Sequence, residues 1–391
     1  MSPLLVIFLT VFIDLLGFGI IIPLLPFYAE HFGASALMVG LLSTSFSVAQ
    51  FLFAPFWGRL SDRIGRRPVI LLGLLGSAVS YALFAMATSL GALFLARTLA
   101  GVAGANVPTA QAFIADTTTP ETRARGMGII GAAFGLGFIF GPAIGGFLSH
   151  WGYAAPAWFA SVLSLANFGA AVVLLPESRP AHVGGVSRPG RLEVIRRAVL
   201  RPNLPMVLLV YFLVLTSFAS FEAMFALYSE RRFGFTAATI GYMFAWVGVV
   251  LATVQGLLVG RVVKRVGERV VIPAAITVLA GALGLVPLAG SVPVLAAACG
   301  LLALGMGFNS PSLLSAISQL ADPRDQGSTL GVSQSLGSLA RIIGPLWGGW
   351  VFDHLGIRFP FYTAGGLMLV ACMLSVVVFS RVQPVSVPAR P

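Results

Sequence analysis

The sequence predicts an all-α integral membrane protein, with twelve transmembrane helices in two pseudo-symmetric six-helix bundles. Three observations carry that prediction. Of 391 residues, 58% are hydrophobic and only 9% are charged, where a soluble domain carries about 25% charged residues. Apolar runs of about 20 residues, the length that crosses a bilayer as a helix, recur along the whole chain. Three short segments of the first half return in the second half at almost one offset.

The apolar runs cover 4–28, 36–57, 69–88, 91–113, 127–149, 155–175, 204–229, 237–259, 270–289, 292–317, 329–351 and 359–380. None alternates with a period of two, and all are too long for barrel strands. Helices are then the structure that satisfies every backbone group in lipid. The first run exceeds a secretory h-region and lacks an A-x-A cleavage site, so it reads as a retained span. Cys299 and Cys372 both fall inside spans, without metal-ligand spacing.

Basic residues set the orientation. Nineteen of the 24 lysines and arginines fall in the even-to-odd loops and the C-terminal tail. Positive loops stay inside, so both termini are expected in the cytoplasm and the chain in the inner (plasma) membrane. The net charge of +11 then reflects topology, anchors to anionic headgroups, and requires no nucleic-acid partner. The longest polar break, "PESRPAHVGGVSRPGRLEVIRRAVLRPN" at 176–203, reads as a cytoplasmic linker with a short basic amphipathic helix near Leu192–Leu200. It separates an N-terminal bundle, 1–175, from a C-terminal bundle with a short tail, 204–391.

The halves repeat one another. "GRLSDRIGRR" at 58–67 precedes "GRVVKRVGER" at 260–269 by 202 residues; "GANVP" (104–108) and "GFNSP" (307–311), and "GPAIGG" (141–146) and "GPLWGG" (344–349), are separated by 203. Such a near-constant offset argues for duplication. Parallel six-helix repeats about an axis along the membrane normal characterise one large transporter architecture. One chain then holds both halves and a central pathway, so a monomer suffices, with small-molecule substrate, protons and the lipid bilayer as its partners.

Ionisable residues inside spans are costly and mark function. Asp14, Arg97, Glu222 and Arg341 qualify; the span limits put Asp14 and Arg341 near mid-membrane and Glu222 and Arg97 about 6–8 Å toward the outside, near enough to share one layer. Desolvation disfavours a carboxylate's charged form and a nearby arginine favours it, so a carboxylate held between the two exchanges protons near neutral pH. Asp14 and Glu222 are the proton-exchanging candidates, and Arg97 and Arg341 the cations that stabilise them; structural salt bridges are the plainer alternative. Phe218, Phe221, Glu222 and Phe225 share one face of the seventh span, and Asp14 and Phe18 are four apart in the first. Carboxylates among aromatic faces suit a lipophilic cation or zwitterion; a lipid-facing or packing surface is the plainer reading of the phenylalanine stripe. Asn106 and Asn309, related by the duplication, would add hydrogen bonds.

Gly137, Gly141 and Gly145 are four apart, a bare stripe that lets another helix approach closely. With Pro142 they are expected to form a hinge between the halves that seals the outer side; ordinary tight packing of helices is the plainer alternative. Catalytic readings fail. His31, His150, His182 and His354 lie in loops or at span ends, without paired-ligand spacing, and no phosphate-binding Gly-x-x-x-x-Gly-Lys-Ser/Thr occurs. No enzyme activity, metal or cofactor is expected, the proton gradient being the energy source.

The motifs resemble those of the major facilitator superfamily. Its signature loop, Gly-x-Leu-Ser/Ala-Asp-Arg-x-Gly-Arg-Arg, is matched at Gly58, Leu60, Asp62, Arg63, Gly65, Arg66 and Arg67. "LARTLAGVAGA" (95–105) is similar to the fourth-span motif, with Ala100 where a glutamine is usual. Gly128, Gly137, Gly141, Pro142, Gly145 and Gly146 resemble the fifth-span motif of antiporters. "FIDLLGFGIIIPLLPFY" (12–28) resembles the first span of twelve-span drug:proton antiporters, including tetracycline and multidrug exporters. The resemblance implies alternating access driven by the proton gradient, most simply exchange of protons for small amphiphilic or cationic compounds. Proton-coupled uptake of a sugar or organic acid shares the fold. It also implies a latch of the outward-open state: Asp62 against the start of the eleventh span, a helix N-terminus with about half a positive charge, and Arg66 against Asp116. Tetracycline exporters carry acidic residues in the third and ninth spans, and 69–88 and 270–289 contain none here.

Overall fold

The structure is a computed structural model that describes residues 3–104, 106–118, 120–178, 200–321 and 326–381, with side chains for all of these except 3, 120–129, 131, 134, 326–328 and 381. Among the described residues the secondary structure is helical throughout, with no strand. Ten helical segments among the described residues, with the two pieces of the fourth span counted as one, are long and apolar enough to cross a membrane. The fifth and eleventh spans are the helices Pro120–Leu148 and Gln326–Leu355, of 29 and 30 residues. Each is long enough for a hydrocarbon core of about 30 Å.

Several spans differ from the sequence expectation. The first is two helices, Pro3–Ile21 and Leu25–His31, parted at residues 22–24 around Pro23, because proline lacks the N–H that would continue the ladder. The fourth breaks between Leu90–Ala103 and Asn106–Thr117 at Gly104. The charged stretch at 58–67 is almost wholly helical, since the second span runs Ala36–Ile64 and the third begins at Arg66. Gly65, at φ 101°, makes that turn alone, in a backbone region that side chains disfavour. Gly267 (φ 78°) does the same between Val259–Val266 and Glu268–Leu285. The basic helix expected near Leu192–Leu200 lies, Leu200 apart, outside the described residues.

Small residues fix how the helices pack. A Cβ on Gly141 would stand 2.7 Å from the Cα of Gly19, and one on Gly137 3.0 Å from Leu15, so the stripe beds the fifth span on the first. Gly344 and Gly348 bed the eleventh span on the seventh, against Thr216 and Ser220. Contact between the halves is made elsewhere on those helices. Gly146 meets Gly241 and Ala238 of the eighth span, Gly241 meets Pro142, and Gly248 meets Ile139. In the second seam, Gly40 meets Pro345, Gly349 meets Ala36, and Thr44 Oγ1 donates to Ile342 O at 3.0 Å. The expected hinge is therefore divided. Gly137, Gly141 and Gly145 face their own half, and Pro142 and Gly146 form the seam.

The seams close the molecule on the side away from the chain termini. There the Asp353 carboxylate, at the end of the eleventh span, accepts from Ala36 N at 3.1 Å and Leu37 N at 2.8 Å, capping the second span from the other half. Arg231 pairs with Glu30 at 3.1 Å across the same seam and lies 4.8 Å over the Phe352 ring.

Candidate functional site: a central cavity between the halves

Between the halves lies a cavity of about 550 Å³ that reaches from Ile21 and Pro345 toward the terminal side at Ala54, Gln111 and Gly331. Its walls come from both halves. Asp14, Phe18, Arg97 and Asn106 line it from the first half, and Glu222 and Arg341 from the second. Residues 208 positions apart in the chain, Asp14 and Glu222, thus share one space.

Local packing places each group. A Cβ on Gly17 would come within 3.1 Å of Tyr81 Cε2, so glycine there lets the third span draw Tyr81 and Ser77 up to the first. Ser77 Oγ donates to Asp14 Oδ1 at 3.2 Å, and Asn106, at the head of the second segment of the fourth span, is beside the same carboxyl. Gly101 packs on the backbone of Phe46. That approach lays the Arg97 guanidinium on the Phe46 ring at 4.6 Å and near Phe18 at 6.0 Å. In the second half Arg341 is near enough to Glu222 and Tyr211 for their charges to interact. It also donates to Ser338 Oγ at 3.5 Å. Among the described residues neither Asp14 nor Glu222 is held in an ion pair.

Three expected substrate contacts lie elsewhere. Phe225 is 1% exposed and packs on Phe221 and Phe244 inside the second half. Phe218 turns toward Phe221, with ring centroids 5.9 Å apart, and is absent from the cavity wall. Asn309, 1% exposed, is likewise buried away from the cavity. The 3–4 spacing of the phenylalanines marks a packing face of the seventh span. The wall's aromatic side is built instead by Phe18, Phe46 and Phe138, with Phe18 5.3 Å from Phe46 and 6.3 Å from Phe138. Phe46, Gln50 and Tyr81 were hidden from sequence reasoning because none carries a charge that would mark it inside a span.

At the terminal side the charged stretch forms a tight cluster around Arg66, which is 3% exposed. Its guanidinium pairs with Asp62 at 2.8 Å and Asp116 at 2.9 Å, and donates to Ser61 Oγ at 2.7 Å. Glu177, just past the sixth span, accepts from Arg66 N at 2.9 Å and Arg67 N at 3.1 Å, capping the third span. Arg67 donates to Val172 O. Arg63 is exposed and a Cβ on Gly58 would touch nothing. Arg66 and Asp116 pair within one half, in a molecule closed on the opposite side. The expected partner of Asp62 is the start of the eleventh span, where residues 322–325 and the side chains of 326–328 lie outside the described residues, as do the side chains around Gly128.

A largely apolar cavity that holds two acids and two arginines, enclosed by two helical halves and sealed at one end by interdigitated glycines, is the build of a membrane transporter and not of an enzyme. Comparison with known proteins narrows the class. The family model described as Major Facilitator Superfamily matches residues 7–345 and 207–391, and the chain belongs to that family. Multidrug resistance protein 2 of Bacillus subtilis (strain 168) is 32% identical over 376 residues, covering 94% of this chain and 92% of that protein. Tetracycline resistance protein, class E, of Escherichia coli is 36% identical over 369 residues, covering 88% and 89%. The crystal structure of the human organic anion transporter MFSD10 superposes with a TM-score of 0.74 at 32% identity, covering 95% of this chain and 98% of that one.

Proposed function

We propose that this transporter is a proton-coupled antiporter that exports small amphiphilic or cationic compounds by alternating access. The observation that carries the reading is the pair of carboxylates, Asp14 and Glu222. Each half contributes one, both are only half-buried, and both face the same cavity without an ion pair among the described residues. A carboxylate in that setting loads a proton when solvent on one side reaches it and releases it when the other side does. Arg97 and Arg341 hold the compensating charge in the same layer. The resistance proteins of Bacillus subtilis and Escherichia coli support export as the direction. The third- and ninth-span acids of tetracycline exporters have no counterpart here, which favours other amphiphiles. In this reading the chain works as a monomer in the plasma membrane with cytoplasmic termini, and the gradient replaces any cofactor.

The test uses everted vesicles with an inside-acid gradient and a panel of lipophilic dyes. Wild-type protein is expected to dissipate the gradient when a transported dye is added. Asp14→Asn and Glu222→Gln are each expected to reduce that response at least tenfold while the protein remains in the membrane. Proton-linked flux that survives both substitutions together refutes the assignment. A symporter would carry protons out of these vesicles only together with substrate from the lumen, so a gradient that collapses only in substrate-preloaded vesicles identifies the symport alternative.

A further inference from the structure

We propose that Arg97 is a substrate anchor: it receives an acidic group, and the cavity selects amphiphiles that carry a carboxylate beside an aromatic or apolar body. The inference deepens the transport reading and rests on it for the cavity's role. Arg97 is 7% exposed and lines the cavity. Its Nε is buried without a hydrogen-bond partner, and among the described residues the side chain makes no hydrogen bond and no ion pair. What surrounds it is aromatic. Phe46 and Phe18 lie 4.6 and 6.0 Å from the guanidinium, and Tyr81 is the one ionisable group near enough to act on its charge.

A guanidinium has five N–H donors and always carries its charge. Ring faces offset part of the cost of burying that charge, but they accept none of those hydrogen bonds. Asp14, the acid of the same half, accepts from Ser77 Oγ at 3.2 Å and makes no ion pair with Arg97. Arg341 differs, having Glu222, Tyr211 and Ser338 around it. Of the two cavity arginines, then, Arg97 is the one whose pairing capacity is unspent. The fork of its terminal nitrogens matches a carboxylate in two parallel charge-assisted hydrogen bonds. Phe18, Phe46 and Phe138 offer a flat apolar seat next to it. A volume of about 550 Å³ is of the size of small-molecule sites in general.

Binding of dansylglycine and of its uncharged amide to the purified protein at pH 7.5, with no gradient applied, tests the proposal. The two probes share one fluorophore and nearly one volume. Wild-type protein is expected to bind the acid at least tenfold more tightly than the amide. Arg97→Gln should bring the ratio within twofold without changing the amide's Kd, and Arg97→Lys should keep a preference of a few-fold. Equal binding of acid and amide by wild type, or an undiminished preference in Arg97→Gln, overturns the anchor. Should Arg97→Gln lose the amide as well, Arg97→Lys decides: a preference above threefold supports the anchor and none overturns it. Because no gradient is involved, failure of Asp14 and Glu222 to couple protons would leave this preference intact, so the two readings fail separately.

Discussion

Arg66 carries its charge at 3% exposure because three acceptors from two helices converge on it. Ser61 and Asp62 come from the end of the second span, just before the Gly65 turn, and Asp116 comes from the end of the fourth. Both carboxylates keep about a quarter of their side-chain surface exposed, at 27% and 26%, so solvent screens the pairs and their worth is below that of a wholly buried triad. Removing the cation from between two acids is still unfavourable. Arg66→Ala is expected to destabilise the protein by about 2 kcal/mol, read as a fall in the melting temperature in detergent. Arg66→Lys should recover little of it, since a point charge cannot hold three acceptors in a plane. Glu177→Gln removes a charge from the N-terminal end of the third span and should cost less, about 0.5–1 kcal/mol. A melting temperature unchanged in Arg66→Ala would show that the cluster is a solvated surface network.

At the scale of helices, glycine spacing proved more informative about closeness than about partner. The four-residue stripe of the fifth span announced a helix in intimate contact, and one is there. Which helix it is depends on the direction the stripe faces once the bundle has formed, and a single sequence carries no such angle. Asp14, Arg97, Glu222 and Arg341 were legible for the opposite reason: a charge in a membrane helix has few places to go, and the cavity is the cheapest. The phenylalanines of the seventh span misled because apolar periodicity marks a buried face without saying what buries it. Glu177 and Asp353 were missed because an acid at a span end reads as ordinary solvation until its helix-capping partners, distant in sequence, are known. The packing itself can be tested by contrast along one helix. Gly141→Ala thrusts a methyl group to 2.7 Å from Gly19 Cα, whereas a Cβ on Gly135 meets nothing within 4 Å. Overpacking of this kind costs about 1–3 kcal/mol, and an alanine for glycine in a helix returns about 1 kcal/mol. Gly141→Ala is therefore expected to melt lower than wild type and Gly135→Ala at the same temperature or higher. Equal shifts of one sign would remove the close approach as the reason for glycine.

Across the whole molecule, the two seams decide which face is closed, and a transporter needs that closure to be breakable at a cost of a few kcal/mol. Glycine contacts make the seam tight but are indifferent to state, since they act only through shape. The polar contacts at the closed end have a direction. Asp353 belongs to the eleventh span, and the amides it caps, at Ala36 and Leu37, belong to the second, so these bonds exist only while the halves meet there. They mirror the contact expected of Asp62 at the other end of the same two helices. A helix cap is worth about 1 kcal/mol, which converts to roughly a fivefold change in an equilibrium constant. Asp353→Ala should thus raise the population open on the side away from the termini about fivefold. Ser43, which lines the cavity from the second span, reports it when replaced by cysteine in a background with Cys299→Ala and Cys372→Ala. Labelling of Ser43→Cys by a membrane-impermeant maleimide added on that side is expected to quicken about fivefold in Asp353→Ala and much less in Asp353→Asn, whose side chain retains an acceptor. An unchanged rate, with the protein folded and its melting temperature kept, would mean that shape alone holds the seam closed and that Asp353 caps a helix without biasing the state.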